Sequence, residues 1–409
     1  MIDLSSCRSQ FPALNVKVGK YNAAYLEGAG GTQFPQRVID AMVGYIHQGN
    51  ANIHGHYLTS QLTDQMLLDA RAAMATLLGA SSPDEIAFGA NMTTMNFALS
   101  RALARDLQPG DEVIITDMDH EANRSPWVEL QEKGLVVKSI PVRTNDCTLD
   151  YDWLQKEINS RTKIIAVGYA SNAVGTVNDV ELVIKLAKQV GAITVIDAVH
   201  YAAHGAIDVQ ALDCDFLLCS PYKFFGAHIG VLYGKKDAFE ALRTYKVRPQ
   251  STTPPSKFET GTQNLEGIAG SIQAVEFIAS LGNLSDDHSL RERVLAGYDA
   301  LERYERPLFE RMVESLKEIP GVTIYGLPWD GKRTTTVAFT IDGVHASEVG
   351  KRLGEVGVFV MVGDFYATRL IEVLDLVEEG GVIRAGLAPY NTMEEVERLL
   401  EGVREIAQR

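Results

Sequence analysis

Two oppositely charged residues, each at the end of an apolar run, form the pair in this sequence best suited to chemistry. Residues 193–196 are mostly apolar and lead into Asp197, while residues 216–219 are apolar and lead through Ser-Pro-Tyr to Lys223. Short apolar runs of this kind are typical of strands covered on both faces in a parallel or mixed α/β sheet. Because ligands in such sheets gather at the carboxyl ends of the strands, the carboxylate and the amine are expected to line one site.

A lysine amine beside an anion is the arrangement that pyridoxal phosphate requires. The amine attaches the cofactor covalently, and the anion keeps the ring nitrogen protonated, without which the ring is a weak electron sink. Asp197 and Lys223 could supply these two functions. The spacing alone is equally compatible with a solvated pair at two strand ends, because many α/β strands end in Asp or Lys.

The amino-acid sequence around Asp197 and Lys223 is more informative than the spacing of these two residues. Residues 197–226 read DAVHYAAHGAIDVQALDCDFLLCSPYKFFG. This segment resembles the lysine-site segment of the class V aminotransferase superfamily, in its cysteine desulfurase branch. The ending SPYKFFG resembles the corresponding segment of a cysteine desulfurase-like subgroup whose substrate is uncertain. The resemblance extends from Tyr25 to about Ile406, which is nearly the whole chain. It therefore implies both the fold of the chain and its cofactor.

The resemblance implies an α/β protein with the pyridoxal-phosphate fold type I. In this fold a mostly parallel seven-stranded sheet forms a large domain, expected at residues 20–285. A smaller α+β C-terminal domain is expected at residues 286–409, together with residues 1–19. A long helical run at 290–318 is expected to link the two. Periodicity further predicts helices at 62–78 and 181–190 and strands at 86–88, 112–116, 136–142, 163–169, 335–341 and 358–362.

A predicted strand, a small-residue turn and a helix start follow one another at residues 86–94, and the helical pattern continues to Leu107. The start of a helix attracts anions, because its first N–H groups are unpaired and its dipole is positive there. Asn and Thr at this position also cap helices without binding a ligand. The resemblance makes Asn91, Met92 and Thr93 the cradle for the cofactor phosphate, mainly through backbone contacts.

Five further residues are assigned to the cofactor through the resemblance. His120 matches the residue that stacks on the pyridine face, where an imidazole can also pass protons. Asn172 matches a residue near the cofactor oxygen and the substrate carboxylate, and His200 is expected to bond the ring hydroxyl oxygen. Ser220 and Tyr222 are expected to contact the phosphate. The acids around His120 lack a second histidine at ligand spacing, so no metal site is predicted.

Arg384 lies among small and apolar residues in the run Val-Ile-Arg-Ala-Gly. Burying a guanidinium is costly unless an anion pairs with it, and its planar fork matches a carboxylate. An internal salt bridge would satisfy the same need. The resemblance identifies Arg384 as the arginine that binds the substrate α-carboxylate, and it places the glycine-rich loop around Gly30 beside that carboxylate.

Two residues are expected to act between protomers. Thr262, in the run FETGT, resembles the family threonine that reaches the phosphate of the other protomer. His54 is expected near the active site, across a dimer interface. The resemblance therefore implies a homodimer with shared active sites.

One departure from the family concerns the cysteine that accepts sulfur in desulfurases. The corresponding segment, residues 358–367, offers Tyr366 at that place, and no cysteine follows Cys219. Cys219 itself lies in a predicted buried strand, which suits a small core residue better than a nucleophile. The sequence therefore puts the persulfide mechanism in doubt while it supports the cofactor.

Composition sets limits on partners and location. The chain has 409 residues, is 46% hydrophobic and 22% charged, and carries a net charge of −15, which disfavours nucleic-acid and anionic-membrane partners. No apolar run approaches the roughly 20 residues of a membrane helix, and the first fourteen residues lack the pattern of a signal peptide. The four cysteines form no CxxC pair. These features predict a cytoplasmic protein with unpaired thiols.

The combined prediction is a pyridoxal-phosphate enzyme that acts on an amino acid. We expect a desulfurase-like C–S lyase that releases sulfur from L-cysteine or a related substrate. An aminotransferase or an epimerase on the same scaffold is the alternative, because the cofactor residues do not separate these reactions. A non-catalytic cofactor-binding protein is disfavoured, because the lysine, the aspartate and the arginine are all present.

Overall fold

In the computed structural model, which describes residues 5–408, most of the chain is organised around one seven-stranded sheet. Residues 1–4 lie outside the described residues. They are part of the N-terminal segment that was tested for a signal-peptide pattern and that was assigned to the small domain. No helix in the described part of the chain is long and apolar enough to cross a membrane.

The helices and strands alternate along the whole described chain. The strands are β1 (Lys17–Val18), β2 (Tyr21–Asn22), β3 (Ala24–Tyr25), β4 (Ile86–Gly89), β5 (Glu112–Thr116), β6 (Val136–Ile140), β7 (Val142–Arg143), β8 (Thr148–Leu149), β9 (Thr162–Gly168), β10 (Ile193–Asp197), β11 (Phe216–Cys219), β12 (Gly230–Gly234), β13 (Val322–Tyr325), β14 (Thr336–Ile341), β15 (Val358–Phe359), β16 (Met361–Gly363) and β17 (Val382–Gly386). The α-helices are α1 (Ser5–Arg8), α2 (Gln36–Gly49), α3 (Leu58–Leu78), α4 (Met92–Leu103), α5 (Ser125–Val128), α6 (Tyr151–Glu157), α7 (Val180–Val190), α8 (Val209–Leu212), α9 (Lys236–Ala241), α10 (Leu265–Leu281), α11 (Leu290–Lys317), α12 (Ala346–Glu355), α13 (Thr368–Val373) and α14 (Met393–Ala407).

The large sheet has the strand order β4-β12-β11-β10-β9-β5-β6. Five neighbouring strands run parallel, and only β12 is antiparallel to both of its neighbours. β11 is buried along its whole length, and β9 and β10 nearly so, as their continuous apolar sequences predict. The prediction of an α/β fold with a mostly parallel seven-stranded sheet is confirmed.

This topology brings distant parts of the sequence to one edge of the sheet. β4, β5, β9, β10 and β11 all point the same way, so their carboxyl ends lie side by side. Asp197 is the last residue of β10, and the segments that follow β4, β5, β9 and β11 carry Asn91, His120, Asn172 and Lys223, respectively. The edge therefore collects residues that are more than 130 positions apart in the sequence.

The carboxyl-terminal part forms a second, smaller layer. β13, β14, β17 and β16 make an antiparallel sheet, and Arg384 lies on its central strand β17. Helix α11 contributes Tyr298 to the core beneath the large sheet and Phe309 to the core of the small sheet. This helix therefore links the two layers, as the sequence predicts for residues 290–318. The domain boundary at 285/286 remains a prediction.

Residues 1–19 contact both layers where they are described. Phe11 packs edge-on against Phe225 and Phe277 of the large core. Arg8, in contrast, forms an ion pair with Glu395 on α14. Their assignment to the small domain stays a prediction.

Three predicted elements divide or end early in the structure, α3 begins four residues before its predicted start, and several other bounds shift by one residue. The strand predicted at 358–362 is two strands, because β15 pairs with β3 while β16 pairs with β17 in another sheet. The strand predicted at 136–142 breaks at Pro141, which has no N–H to donate to a ladder. The helix predicted to reach Leu107 ends at Leu103, where the backbone leaves the α-helical hydrogen-bond pattern.

Candidate active site

A pocket at the carboxyl edge of the large sheet collects most of the predicted site residues. It is bounded by the segments that follow β4, β5, β9, β10 and β11. Ten of the predicted residues line it, namely Asn91, Met92, Thr93, His120, Asn172, Asp197, His200, Ser220, Tyr222 and Lys223.

The amine of Lys223 is held inside this pocket by backbone carbonyl groups. Its Nζ donates to the carbonyl oxygens of Ala29 at 2.5 Å and of Gly30 at 3.0 Å, and the residue is 7% exposed. Burial first, and then the positive charge of Arg384, lower the pKa of Lys223 to about 7 against the opposing charges of Asp197 and Glu27. A large fraction of the amine is therefore neutral near pH 7, as a nucleophile and a base require.

The carboxylate of Asp197 is buried with little to balance its charge. It accepts a hydrogen bond from the backbone N–H of Val199 at 2.9 Å. Burial raises the pKa of Asp197 to about 7, the Val199 bond opposes that rise, and the nearby Asp119 adds to it. A protonated ring nitrogen would supply the missing positive charge, so Asp197 fits the pyridine nitrogen of pyridoxal phosphate.

His120 is fixed as a neutral ring with a defined tautomer. Its Nδ1 accepts a hydrogen bond from the N–H of Ala122 at 2.9 Å, so the proton of the neutral ring lies on Nε2. Burial first, and then the charges of Lys223 and Arg384, lower the pKa of His120 to about 4. A neutral imidazole at the pocket wall fits the stacking position that the sequence assigns to it.

His200 has a buried nitrogen without a partner. Its Nε2 lies 3.0 Å from the hydroxyl of Thr334 and 3.4 Å from that of Thr336. Its Nδ1 is buried and has no hydrogen-bond partner in residues 5–408. Because buried polar atoms are usually satisfied, this nitrogen is suited to bond a group held in the pocket, such as the ring hydroxyl of the cofactor.

The phosphate end of the pocket is formed by the start of α4. Asn91 is its N-cap, and the side chain of Asn91 accepts from the N–H of Thr94 at 2.9 Å. That side chain is thereby occupied, so the backbone N–H groups of Met92 and Thr93 are the expected anion donors. Ser220 precedes the short 3-10 helix Pro221–Lys223, and its side chain makes no capping hydrogen bond to that helix. Its hydroxyl is therefore available to a ligand.

Arg384 is buried without a carboxylate partner. It is 3% exposed, its Nη1 donates to the carbonyl oxygen of Asn172 at 2.8 Å, and its Nε has no hydrogen-bond partner in the described chain. Burial lowers the pKa of Arg384 to about 10 despite the opposing charge of Glu27. The internal salt bridge considered above is not formed among the described residues, so the guanidinium remains available for an external anion.

Gly30 keeps the approach to this guanidinium open. A Cβ atom at position 30 would lie only 3.1 Å from Nη2 of Arg384. Arg384 and Gly30 do not line the pocket itself but lie next to it. Arg384 donates a hydrogen bond to Asn172, and Gly30 accepts one from Lys223, and both of these partners line the pocket.

Two predicted site residues lie away from the pocket in the single chain. The side chain of His54 is 80% exposed and lies 3.3 Å from Asp64. Thr262 is exposed on the loop before α10. Both were predicted to act across a dimer interface, and both roles remain predictions.

Asp119 is a pocket residue without a role in the sequence prediction. Its carboxylate accepts hydrogen bonds from Gly168 N–H at 2.9 Å and from the amide of Asn123 at 2.9 Å. Burial raises its pKa to about 6, although hydrogen bonds and Arg124 oppose the rise. Its position shortly after the carboxyl end of β5 was the available signal, but the acids around it were weighed only as a metal site, which was not predicted. The described residues contain no group of three metal-ligating side chains.

None of the four cysteines lines the pocket. All four are buried and free. Burial raises the pKa of Cys7 to about 12 and that of Cys147 to about 11, and it also raises the pKa values of Cys214 and Cys219. Thiols of this kind are poor nucleophiles, because the thiolate is the reactive form.

Comparison with known proteins identifies relatives along the whole chain. Residues 24–399 match the family described as aminotransferase class-V. The sequence is 34% identical to a cysteine desulfurase of Pectobacterium carotovorum subsp. carotovorum (strain PC1), with 98% of this chain and 97% of that protein aligned. It is 33% identical to a cysteine desulfurase of Serratia proteamaculans (strain 568), with the same shares aligned.

Solved structures show the same similarity. The cysteine desulfurase CsdA of Escherichia coli superposes with a TM-score of 0.85 at 28% identity, over 100% of this chain and 99% of that one. The apo cysteine desulfurase of Thermococcus onnurineus NA1 gives a TM-score of 0.86 at 28% identity, over 98% of each chain.

Proposed function

The chain belongs to the class V aminotransferase family, whose members depend on pyridoxal phosphate, and we propose that it is a C–S lyase acting on L-cysteine or a close relative. The full-length similarity to cysteine desulfurases supports the substrate class. The observation that carries the proposal is the arrangement of Lys223, Asp197 and the unpaired Arg384 around one pocket without a thiol.

In this proposal each part of the cofactor has its own pocket residue. Lys223 would hold it covalently, Asp197 would pair with its ring nitrogen, and His200 Nδ1 would bond its ring hydroxyl. His120 would cover one face of the ring. The start of α4 would hold the phosphate, together with Ser220 and Tyr222. Pyridoxal phosphate, when bound, stabilises negative charge that develops at the substrate Cα.

The side chains of this protein supply the remaining functions. The Nε–Nη2 edge of Arg384 can receive the substrate carboxylate through two parallel hydrogen bonds. Nζ of Lys223, whose pKa is lowered to about 7 by burial, can take the proton from Cα and return it. Nε2–H of the neutral His120 ring can donate a hydrogen bond to a group bound in the pocket, such as the leaving sulfur.

Without a thiolate acceptor, the sulfur must leave together with the electron pair of the C–S bond. L-Cysteine and water would then give pyruvate, ammonia and hydrogen sulfide, which balances atoms and needs no reductant. A desulfurase that transfers sulfur to its own cysteine gives alanine instead, and the burial of all four cysteines disfavours that route here.

The carbon product therefore tests the proposal. We expect the holoenzyme to release sulfide and pyruvate from L-cysteine in equal amounts, measured by methylene blue and by coupled lactate dehydrogenase. Alanine in place of pyruvate would contradict the elimination. If cysteine gives no product while an added keto acid is aminated by another amino acid, the aminotransferase alternative is correct.

A homodimer with shared sites is a further proposal, supported by the surface around α2 and α3. This region exposes six large apolar side chains, namely Val43, Ile46, Ile53, Tyr57, Leu58 and Leu68. His54 lies within the same segment. Exposed apolar side chains that cluster on a surface mark interaction sites, and a second copy with a self-complementary surface is the simplest partner.

Complementation between two inactive variants tests this dimer. Lys223→Ala and Thr262→Asp are each expected to be inactive, the latter because it sets a negative charge against the phosphate. A mixed dimer, co-expressed with two tags and purified through both, should regain about half of the wild-type activity, because one of its two sites is intact. Failure to recover any doubly tagged species, or an inactive mixed dimer, would refute shared sites.

The state of the cysteines supports a proposal about location. All four are unpaired and buried in the described chain. Free thiols suit a reducing compartment, so we propose the cytoplasm.

A further inference from the structure

The loop between β16 and α13 holds two adjacent aromatic residues in an unusual backbone conformation. Phe365 has φ of 54° and Tyr366 has φ of 59°, so both lie in the left-handed region. Residues with a side chain rarely adopt this conformation, and it persists only where surrounding contacts hold it. Two such residues in succession therefore call for contacts that select this arrangement.

Those contacts reach the two sides of the pocket. The ring of Tyr366 stacks on His120 with centroids 5.4 Å apart, and its carbonyl oxygen accepts from Glu121 N–H at 2.6 Å. The ring of Phe365 lies over the guanidinium of Arg384, with Cζ 4.1 Å from the ring centroid. The loop thus places one ring on each of two residues assigned to the reaction.

Phe365, Asn172 and Arg384 form a closed set of contacts. The carbonyl oxygen of Phe365 accepts from Nδ2 of Asn172 at 2.9 Å. The carbonyl oxygen of Asn172 in turn accepts from Nη1 of Arg384 at 2.8 Å. The Phe365 ring completes the set by covering one face of the same guanidinium. Each of the three residues therefore restricts the other two.

This set leaves one edge of the guanidinium free. Nη1 is engaged and one face is covered, while Nε remains buried and unpartnered. Nη2 points to the side where only a glycine, Gly30, leaves space. A carboxylate binds an arginine most strongly through two parallel hydrogen bonds in the guanidinium plane, so the tilt of that plane decides the fit.

We propose that Phe365 is a positioning residue for carboxylate recognition, because its ring fixes the plane in which Arg384 presents its Nε–Nη2 edge to the substrate. The proposal rests on the assignment of Arg384 to the substrate carboxylate. The ring also keeps water from one face of the guanidinium, which strengthens an ion pair formed at its edge. Phe365 thereby favours α-amino acids over amines that lack the carboxylate.

A matched pair of ligands tests the proposal without any sulfur chemistry. L-2-Aminobutyrate has the shape of cysteine but no leaving group, and n-propylamine is the same molecule without its carboxylate. Binding of each to the holoenzyme is followed by the change in cofactor absorbance. We expect Phe365→Leu to raise the dissociation constant of L-2-aminobutyrate about tenfold, or ~1.4 kcal/mol, and to change that of n-propylamine less than about twofold.

Two further variants guard against trivial explanations. Phe365→Tyr keeps the ring and is expected to bind both ligands as the wild type does. Phe365→Asn removes the ring but tolerates the left-handed backbone, so it should fold well and still show the carboxylate-specific loss. An equal weakening of both ligands would show that Phe365 only covers the pocket, and unchanged binding of L-2-aminobutyrate would equally overturn the proposal. Because no turnover is measured, these outcomes are independent of whether L-cysteine is the substrate.

Discussion

Lys223→Ala is expected to abolish covalent attachment of the cofactor and to reduce product formation by at least about a thousandfold, or ~4 kcal/mol. The wild-type protein should be yellow, and borohydride should trap the cofactor on a peptide that contains residue 223. The expected loss is large because, in the proposed function, the same Nζ holds the cofactor and moves the substrate proton, so a single substitution would remove both functions.

Lys257 provides a matched control for this experiment. It is also 7% exposed, but its Nζ donates to the carbonyl oxygen of Glu240 at 2.9 Å, and it does not line the pocket. Lys257→Ala should keep the colour and the trapped adduct. If the trapped peptide contains another lysine, the assignment of Lys223 is wrong, and the phosphate roles of Ser220 and Tyr222 are lost with it.

Asp197→Asn is expected to lower turnover by about a hundredfold or more, since each factor of ten in rate corresponds to roughly 1.4 kcal/mol of lost transition-state stabilisation. The amide keeps the shape and can still accept from Val199 N–H, but it cannot hold a ring nitrogen protonated. Substrate binding through Arg384 should change little. Turnover equal to the wild type would refute the assignment of Asp197.

The same substitution should stabilise the protein without its cofactor. Burial raises the pKa of Asp197 from 3.8 to about 7, so ionising this group costs folding free energy. Stability from the raised pKa is present below pH ~4 and is lost as the pH rises through about 7. The apoprotein of Asp197→Asn should therefore melt higher than the wild type at pH 8, and the difference should shrink toward pH 4. A lower melting temperature at pH 8 would contradict the unbalanced burial of this carboxylate.

The sequence was most informative where function depends on local signals. The apolar runs of β10 and β11 predict their own burial, and the residues that follow them, Asp197 and Lys223, are placed by strand direction alone. For Arg384 the apolar strand predicts only that the buried guanidinium needs an anion or an internal salt bridge, and the family resemblance was needed to choose the substrate carboxylate. These features require no knowledge of which strands are neighbours.

Other features depend on contacts between distant segments. Helix α10 is apolar on most of its faces, because it packs against α2, α3 and α11, so it shows little of the amphipathic periodicity that predicts a helix. The role of Phe365 depends on Arg384 and Asn172, which come from β17 and from the turn after β9. The split between β15 and β16 likewise follows from two different partner strands. Tertiary structure decides all three.

The measurement that tests the central claim most directly is sulfide and pyruvate release from L-cysteine by a variant without thiols. Cys7, Cys147, Cys214 and Cys219 would all be replaced by Ser, with the melting temperature and cofactor absorbance as controls for folding. Both products should form at rates close to those of the wild type, because all four thiols are buried and none lines the pocket. A persulfide on one of these cysteines during turnover of the wild type, lost together with sulfide release in the matching Ser variant, would contradict it.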